Sequence, residues 1–315
     1  MSLRLGVVGV GHMGRIHAGK LREMHDVTVT GVVDVNAECM DELSSKHGIP
    51  AFCEYDRLFG SVEAVVIATP TETHARVARE FLSRGVHVFM EKPITAHVEE
   101  AYELIELAEK NGAILQIGHL ERFSPAFRKA QPLIKRPLFI EAERVSTFTG
   151  RSTDVDVVLD LMIHDIDLTL SIAEGEVGEI RAQGAPVVTD KIDVAFARVE
   201  FTGGCVANLT ANRVARKRER TFGIFQKDRY FSLDLMKGKT AITTRGPGGE
   251  IEIEEFEAVH MDPVRDELLD FITAIREQRR PAVAGEHGLR ALVLANQIRE
   301  QIERYIAERK ASGLL

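Results

Sequence analysis

A short apolar run at residues 5–10 flows into Gly9-Val10-Gly11-His12-Met13-Gly14, and a helical pattern through Ile16, Leu21 and Met24 follows. Alone, a G-x-G-x-x-G spacing is weak, because glycine is common. Between a strand and a helix it restricts the fold severely. The first glycine permits a tight turn, the second lets backbone approach a pyrophosphate, and the third lets helix and strand pack closely. Free N–H groups and the helix dipole then favour an anion. A dinucleotide lying on Gly9, Gly11, His12, Met13 and Gly14 is the expected ligand.

Residues 27–33, V-T-V-T-G-V-V, read as the next strand and lead to Asp34, twenty positions after Gly14. That is about the spacing of a carboxylate that accepts hydrogen bonds from an adenosine ribose. The same charge repels a 2′-phosphate, so NAD is expected over NADP. Asp34 also suits a turn or a cap for a helix from Ala37; the glycines favour the cofactor role. The alternation continues with strands at 64–68, 86–90 and 113–118 and helices at 72–84 and 96–111. Such alternation builds a doubly wound parallel sheet, here expected over residues 1–118. Thr69, Pro70, Thr71 and His74 fall at a strand end and the following helix start, so they are expected to flank the cofactor. Thr71 serves equally well as an N-cap. His12, His17, His25 and His47 fit no metal spacing and read as surface or helix residues.

Residues 86–93, V-H-V-F-M-E-K-P, place Glu91, Lys92 and Pro93 at the carboxyl end of a strand. In open α/β sheets that edge faces the ligand crevice. Pro93 cannot continue a ladder and pushes Lys92 into an extended conformation, with an X-Pro bond that can be cis. In isolation this is a strand end with two solvated charges. Beside the glycine loop, Glu91 and Lys92 become candidates for the cofactor site.

After Gly118 the pattern changes, and residues 119–315 read as a second, α+β domain whose C-terminal helices can pack back on the first. A helical connector spans 119–135 and a strand 138–148. Residues 154–172 then form a largely buried helix through Val157, Leu161, Ile163, Leu168, Leu170 and Ile172, with Thr153 or Asp154 as its cap. Asp160 and His164 are four apart and share one face. A carboxylate there orients the imidazole, fixes its tautomer and raises its basicity. An ionic pair that merely stabilises the helix shows the same pattern. A metal site of Asp160, His164, Asp165 and Asp167 is disfavoured, because positions 165 and 167 do not both share the His164 face.

Strands are expected at 180–188, 194–201, 205–214, 221–226, 230–235 and 251–256, giving a large, mostly antiparallel open sheet. Helices at 263–279 and 286–309 close the chain. One face of the sheet needs cover that a second subunit can provide. The basic run 213–220, R-V-A-R-K-R-E-R, reads as a solvated strand edge that discourages pairing, or as a feature that attracts substrate phosphates.

A chain of 315 residues suggests two domains at about 150 residues each. A net charge of -8 argues against general nucleic-acid binding. Cys39, Cys53 and Cys205 are dispersed and odd in number, which argues against a disulfide framework or a cysteine zinc site. No apolar run approaches the roughly 20 residues that cross a bilayer, and the N-terminus reads as a strand rather than a signal peptide. The expectation is a cytoplasmic protein without a metal, nucleic-acid or membrane partner.

With G-V-G-H-M-G, A-T-P-T-E-T-H, E-K-P and D-L-M-I-H-D-I-D-L in order, nearly the whole chain resembles the glucose-fructose oxidoreductase / inositol dehydrogenase / MocA (Gfo/Idh/MocA) family. The resemblance implies a Rossmann domain, a mostly antiparallel substrate domain, and a homodimer or homotetramer built through the open sheet. It also implies that Lys92, Asp160 and His164 are catalytic, and either Lys92 or His164 can be the base. H-L-E-R-F-S-P, the segment from Phe148 to Leu168 and T-D-K-I-D resemble more narrowly the UDP-N-acetylglucosamine 3-dehydrogenase branch. That branch oxidises a sugar 3-hydroxyl ahead of an aminotransferase, on a route toward amide-linked lipid A. The expected activity is hydride transfer between a sugar or nucleotide-sugar hydroxyl and a nicotinamide. The alternatives are a free-sugar or inositol dehydrogenase and a non-catalytic dinucleotide-binding regulator. Arg122, Arg151 and Ser152 are substrate candidates, the last two equally explicable as loop and cap residues.

Overall fold

The computed structural model describes residues 2–148 and 155–313. They form two units: residues up to Leu120 with Asp262–Leu289, and Glu121–Met261 with residues from Arg290 onward. The α-helices are α1 His12–Arg22, α2 Ala37–His47, α3 Thr71–Leu82, α4 Val98–Lys110, α5 Pro125–Ala130, α6 Ile163–Ile172, α7 Pro263–Glu277 and α8 Gly285–Ala311.

The first unit contains β1 Leu3–Val8, β2 Val27–Val33, β3 Ala51–Phe52, β4 Ala64–Ile67, β5 His87–Glu91 and β6 Leu115–Gly118. They pair in the order β3-β2-β1-β4-β5-β6, every pair parallel. All four residues of β4 are buried, as its unbroken A-V-V-I demands of a strand covered on both faces. The strand order reverses between β1 and β4, and the crevice of such a sheet opens at that switch point. Ala18 and Leu21 of α1, Met40 and Leu43 of α2, and Leu268 and Phe271 of α7 pack on Val7, Val32, Val66 and Phe89. Thus α7, late in the chain, covers the N-terminal sheet. Pro263 opens it, and the Asp262 carboxylate accepts the Arg265 N–H at 3.1 Å. Gln116 Nε2 donates to the Glu267 carbonyl at 2.9 Å.

The second unit contains β7 Phe139–Val145, β8 Val177–Ala185, β9 Val194–Phe201, β10 Val206–Asn212, β11 Glu219–Gln226, β12 Arg229–Asp234, β13 Lys239–Arg245 and β14 Ile251–Glu257. They form one sheet in the order β14-β13-β12-β11-β7-β10-β9-β8. All pairs are antiparallel except β7 with β10. Along β10, Ala207, Leu209 and Ala211 are buried and their alternates less so, the period-2 pattern of a one-sided core. That core also takes Ile163 and Ile166 of α6 and Ile298 and Ile302 of α8.

Several elements depart from their sequence reading. Strand β13 and the two-residue β3 were not expected. The strand read at 180–188 ends at Ala185, because the N–H groups of Val187, Val188 and Thr189 turn to donate to Asp193 Oδ2 at 2.7–2.8 Å. Arg213, first of the basic run, is 5% exposed rather than solvated. It donates to Asp193 Oδ1 at 2.7 Å, the Val155 carbonyl at 2.6 Å and Thr189 Oγ1 at 2.9 Å. Lys217 pairs with Glu219, and Arg220 with Glu121. Burial alone would raise the Asp193 carboxyl, but three backbone N–H groups and Arg213 hold it well below the usual range.

Removing one member of a buried pair strands the other. Arg213→Ala should therefore lower unfolding free energy by about 3–5 kcal/mol in urea titrations, and Arg213→Lys should recover only part. A loss within about 0.5 kcal/mol, typical of a surface site, would show that the cluster does not stabilise the fold.

Candidate active site

The backbone between β1 and α1 is shaped by contact. Gly9 has φ of +87°, and a Cβ there would stand 2.6 Å from the Ala68 carbonyl oxygen. A Cβ on Gly14 would collide with the Gly9 carbonyl oxygen, whereas one on Gly11 would meet nothing within 4 Å. Two glycines thus answer to packing and the middle one to open space. That space is a cavity of about 670 Å³, lined by Gly9, Gly11, Asp34, Thr69, Pro70 and Arg76 among others. Its volume is in the range of small-molecule and cofactor sites. No side chain caps α1, which begins directly after Gly11, so its first N–H groups offer the anion cradle expected of a helix start.

Asp34 has two duties. It lines the cavity, and its carboxylate accepts the N–H of Val10 at 2.8 Å and of Asn36 at 2.9 Å. The helix cap that Asp34 might have supplied comes from Asn36, which accepts the Glu38 N–H at 3.0 Å. Pro70 occupies the N-cap of α3, so Thr71 is its first helical residue and not its cap. Thr73 Oγ1 reaches Thr69 Oγ1 at 2.7 Å, and Thr73 itself lines the cavity. Thr73, Arg76 and the 53–55 segment are cavity residues that the sequence reading missed. The first two follow Thr69 at helical spacing, a legible signal. The segment follows β3, too short to show any period.

Glu91 and Lys92 close β5, and the Lys92–Pro93 bond is cis. Glu91 turns inward: its Oε1 lies 2.7 Å from Nε2 of His17, which is wholly buried on α1 rather than at the surface. His74 is likewise buried, with Nδ1 3.0 Å from the Pro93 carbonyl oxygen and Nε2 2.9 Å from that of Thr69. It ties the end of β4 to the Glu-Lys-Pro turn and is not among the residues lining the cavity. Burial lowers its pKa against the pull of those two carbonyls.

In the second unit the helix carrying Asp160 and His164 begins as a π-helical turn, Val158–Met162, and becomes α6 at Ile163. π-turns are rare and frequent at functional sites. Asp156 serves this start, accepting the N–H groups of Val158 and Leu159 at 2.9 and 3.1 Å. The expected caps Thr153 and Asp154 lie outside the described residues, as do Arg151 and Ser152. Asp160 is half-buried and His164 is 8% exposed. Arg122, expected at the substrate, forks onto Asp167 at 2.6 and 2.9 Å. Arg144, 2% exposed, forks onto Asp165 at 2.8 and 2.9 Å and reaches Glu121 at 2.8 Å. Both aspartates that closely follow His164, Asp165 and Asp167, are thus paired with arginines. Buried guanidinium–carboxylate forks lock α6 in rotation.

Two family descriptions match the chain: an oxidoreductase family with NAD-binding Rossmann fold over residues 3–119, and a GFO/IDH/MocA C-terminal domain over residues 116–231. A UDP-N-acetylglucosamine 3-dehydrogenase from Acidithiobacillus ferrooxidans is 40% identical over 312 residues, 97% of this chain and 99% of the relative. Its solved structure superimposes with a TM-score of 0.92 over 97% of this chain and 99% of that one. A myo-inositol 2-dehydrogenase from Thermotoga maritima is 28% identical, covering 96% of each chain.

The glycine loop separates folding from binding. Gly11→Ala should leave the melting temperature near wild type and abolish dinucleotide binding, followed by nicotinamide fluorescence. Gly14→Ala should lose the fold as well. Equal melting temperatures for the two variants would refute this division.

Proposed function

The chain belongs to the Gfo/Idh/MocA oxidoreductase family, and on that premise we propose that it oxidises the 3-hydroxyl of UDP-N-acetylglucosamine with NAD as acceptor. The observation that carries the substrate is the 40% identity, end to end, with a relative of that named activity. The NAD preference rests on Asp34, whose carboxylate lines the cavity and would repel a 2′-phosphate. Gly9, Gly11, Asp34, Thr69 and Pro70 would hold the dinucleotide, and the empty space over Gly11 suits a pyrophosphate. When bound, NAD supplies the acceptor for the substrate hydride.

The roles of the chain's own groups follow from their chemistry. His164, as a neutral imidazole, takes the proton of the sugar hydroxyl. Asp160 orients that imidazole and stabilises its cationic form. Lys92 donates to the same hydroxyl oxygen and stabilises the negative charge that develops there. Lys92 as base is the rival assignment. The uncovered face of the eight-stranded sheet exposes Phe139 and Phe196, which a second copy of the chain would cover. Among the described residues no helix is long and apolar enough to cross a membrane.

Turnover is measured as NADH formation with UDP-N-acetylglucosamine, free sugars or inositol, with a carbonyl trap to pull an uphill oxidation. Activity with the nucleotide sugar alone is expected. Activity only with inositol would favour the reading of the 28%-identical relative, and tight NAD binding without turnover would favour a regulator. Lys92→Ala and His164→Ala should each lower kcat by about 10²- to 10⁴-fold and leave NAD affinity intact. Near-wild-type turnover in both would remove these residues from the mechanism.

A further inference from the structure

On the face of the first unit's sheet that α1 and α7 cover, three polar side chains meet in an apolar setting. His17 from α1, Glu91 from the end of β5 and Glu267 from α7 bring a ring nitrogen and two carboxylate oxygens within 4.8 Å of one another. Glu267 is wholly buried, and among the described residues neither of its side-chain oxygens has a hydrogen-bond partner. Phe89 stands edge-on to His17 at 5.2 Å, with Phe271 at 5.9 Å behind it. Gln116 pins the α7 backbone at Glu267 itself.

His17 hydrogen-bonds Glu91, which leaves a charge on Glu267 without a hydrogen-bonding counterion among the described residues. Burying it bare is prohibitive; the second acid needs either a cation or a proton. Ligand atoms around one ion at about 2.1 Å stand roughly 3 Å or more apart. His17 Nε2 and Glu91 Oε1 stand at 2.7 Å, a hydrogen-bond separation. Geometry selects the proton.

We propose that Glu267 is a neutral carboxylic acid that donates to the Glu91 carboxylate, so that His17 and Glu267 together clamp Glu91 and thereby set the direction of Lys92, the next residue. Rotation of the Glu267 carboxyl, or one bridging water, spans the remaining gap. Glu267 is thus a positioning residue for the reaction. This rests on Lys92 acting in turnover, as assigned above. The titratable groups facing Glu91 are His17 from α1, Lys92 beside it, His74 from α3 and Glu267 from α7. They divide the two acids. Burial pushes Glu267 well above the usual carboxylate range, and the Glu91 charge adds to that. Burial acts on Glu91 in the same sense, but the His17 hydrogen bond and charge, then Lys92, bring it below its range.

The sign of the pH effect follows. A folded value above the ordinary 4.5 means that this proton's stability is whole below that pH and is lost as pH rises toward the folded value. Glu267→Gln keeps a donor and removes that loss, so its melting-temperature gain over wild type should grow from mildly acidic to mildly alkaline pH.

The decisive measurement is the infrared difference spectrum of full-length wild type minus Glu267→Gln at neutral pH. A protonated-carboxyl C=O band is expected. In turnover, Glu267→Gln should stay close to wild type, while Glu267→Leu should lower kcat about 10- to 100-fold with KM unchanged. Absence of the band, equal damage from Gln and Leu, or a divalent ion retained stoichiometrically by wild type and lost in Glu267→Gln would each overturn the proposal. The band and the melting shift do not depend on turnover. If Lys92→Ala left kcat intact, the catalytic assignment would fall while the proton on Glu267 was judged separately.

Discussion

The structure of the first unit depends on one close approach, that of the Gly14 α-carbon to the Gly9 carbonyl. It lets α1 begin immediately beyond β1, where the strand order reverses against β4. Any side chain at position 14 would push the helix away from the end of β1. The loop is held on its other flanks by Val33, whose carbonyl accepts the Gly9 N–H at 2.7 Å, and by Asp34, which accepts that of Val10. Asp34, the residue proposed to meet the cofactor ribose, is therefore also a structural member of the glycine loop. Binding and folding share atoms here.

The second unit is organised by buried charge instead. Arg144 and Arg122 each fork onto a carboxylate, Arg213 spreads its donors over Asp193, Thr189 and the Val155 carbonyl, and between them they secure α6, its π-helical lead-in and the turn after β8. Such networks seldom add much net stability over an apolar core, but they punish any other arrangement, since a displaced helix would strand several charges at once. The base proposed at His164 would have to present one nitrogen in one direction, and such rigidity would serve it.

Much of the fold was legible. The glycine loop, Asp34, β2 and β9 fell where their periods placed them, because strands and helices on a one-sided core advertise their spacing. The misses have local causes. β3 has only two residues, too few for any period. β13, K-T-A-I-T-T-R, carries a single large apolar residue. The ends of β8 and of the π-turn were set by Asp193 and Asp156, whose carboxylates collect backbone N–H groups that a ladder or helix would otherwise use.

Within the candidate site, chain order and residue type alone picked out the glycine loop, the acid proposed for the ribose, and the Glu-Lys-Pro and Asp-x-x-x-His motifs. Those are short-range patterns: a turn, a strand end and a helix face each need only neighbouring residues. Tertiary structure alone decided which polar residues are spent on the fold. Arg122, Arg213, His17 and His74 look available in the sequence and are buried or committed in the molecule. Glu267 reads as one more acid on an amphipathic helix, yet it lies wholly buried beside Glu91 across a separation of 176 residues. Local spacing cannot reveal such partnerships, because a side chain's charge and its hydrogen bonds are set by what the distant chain brings against it.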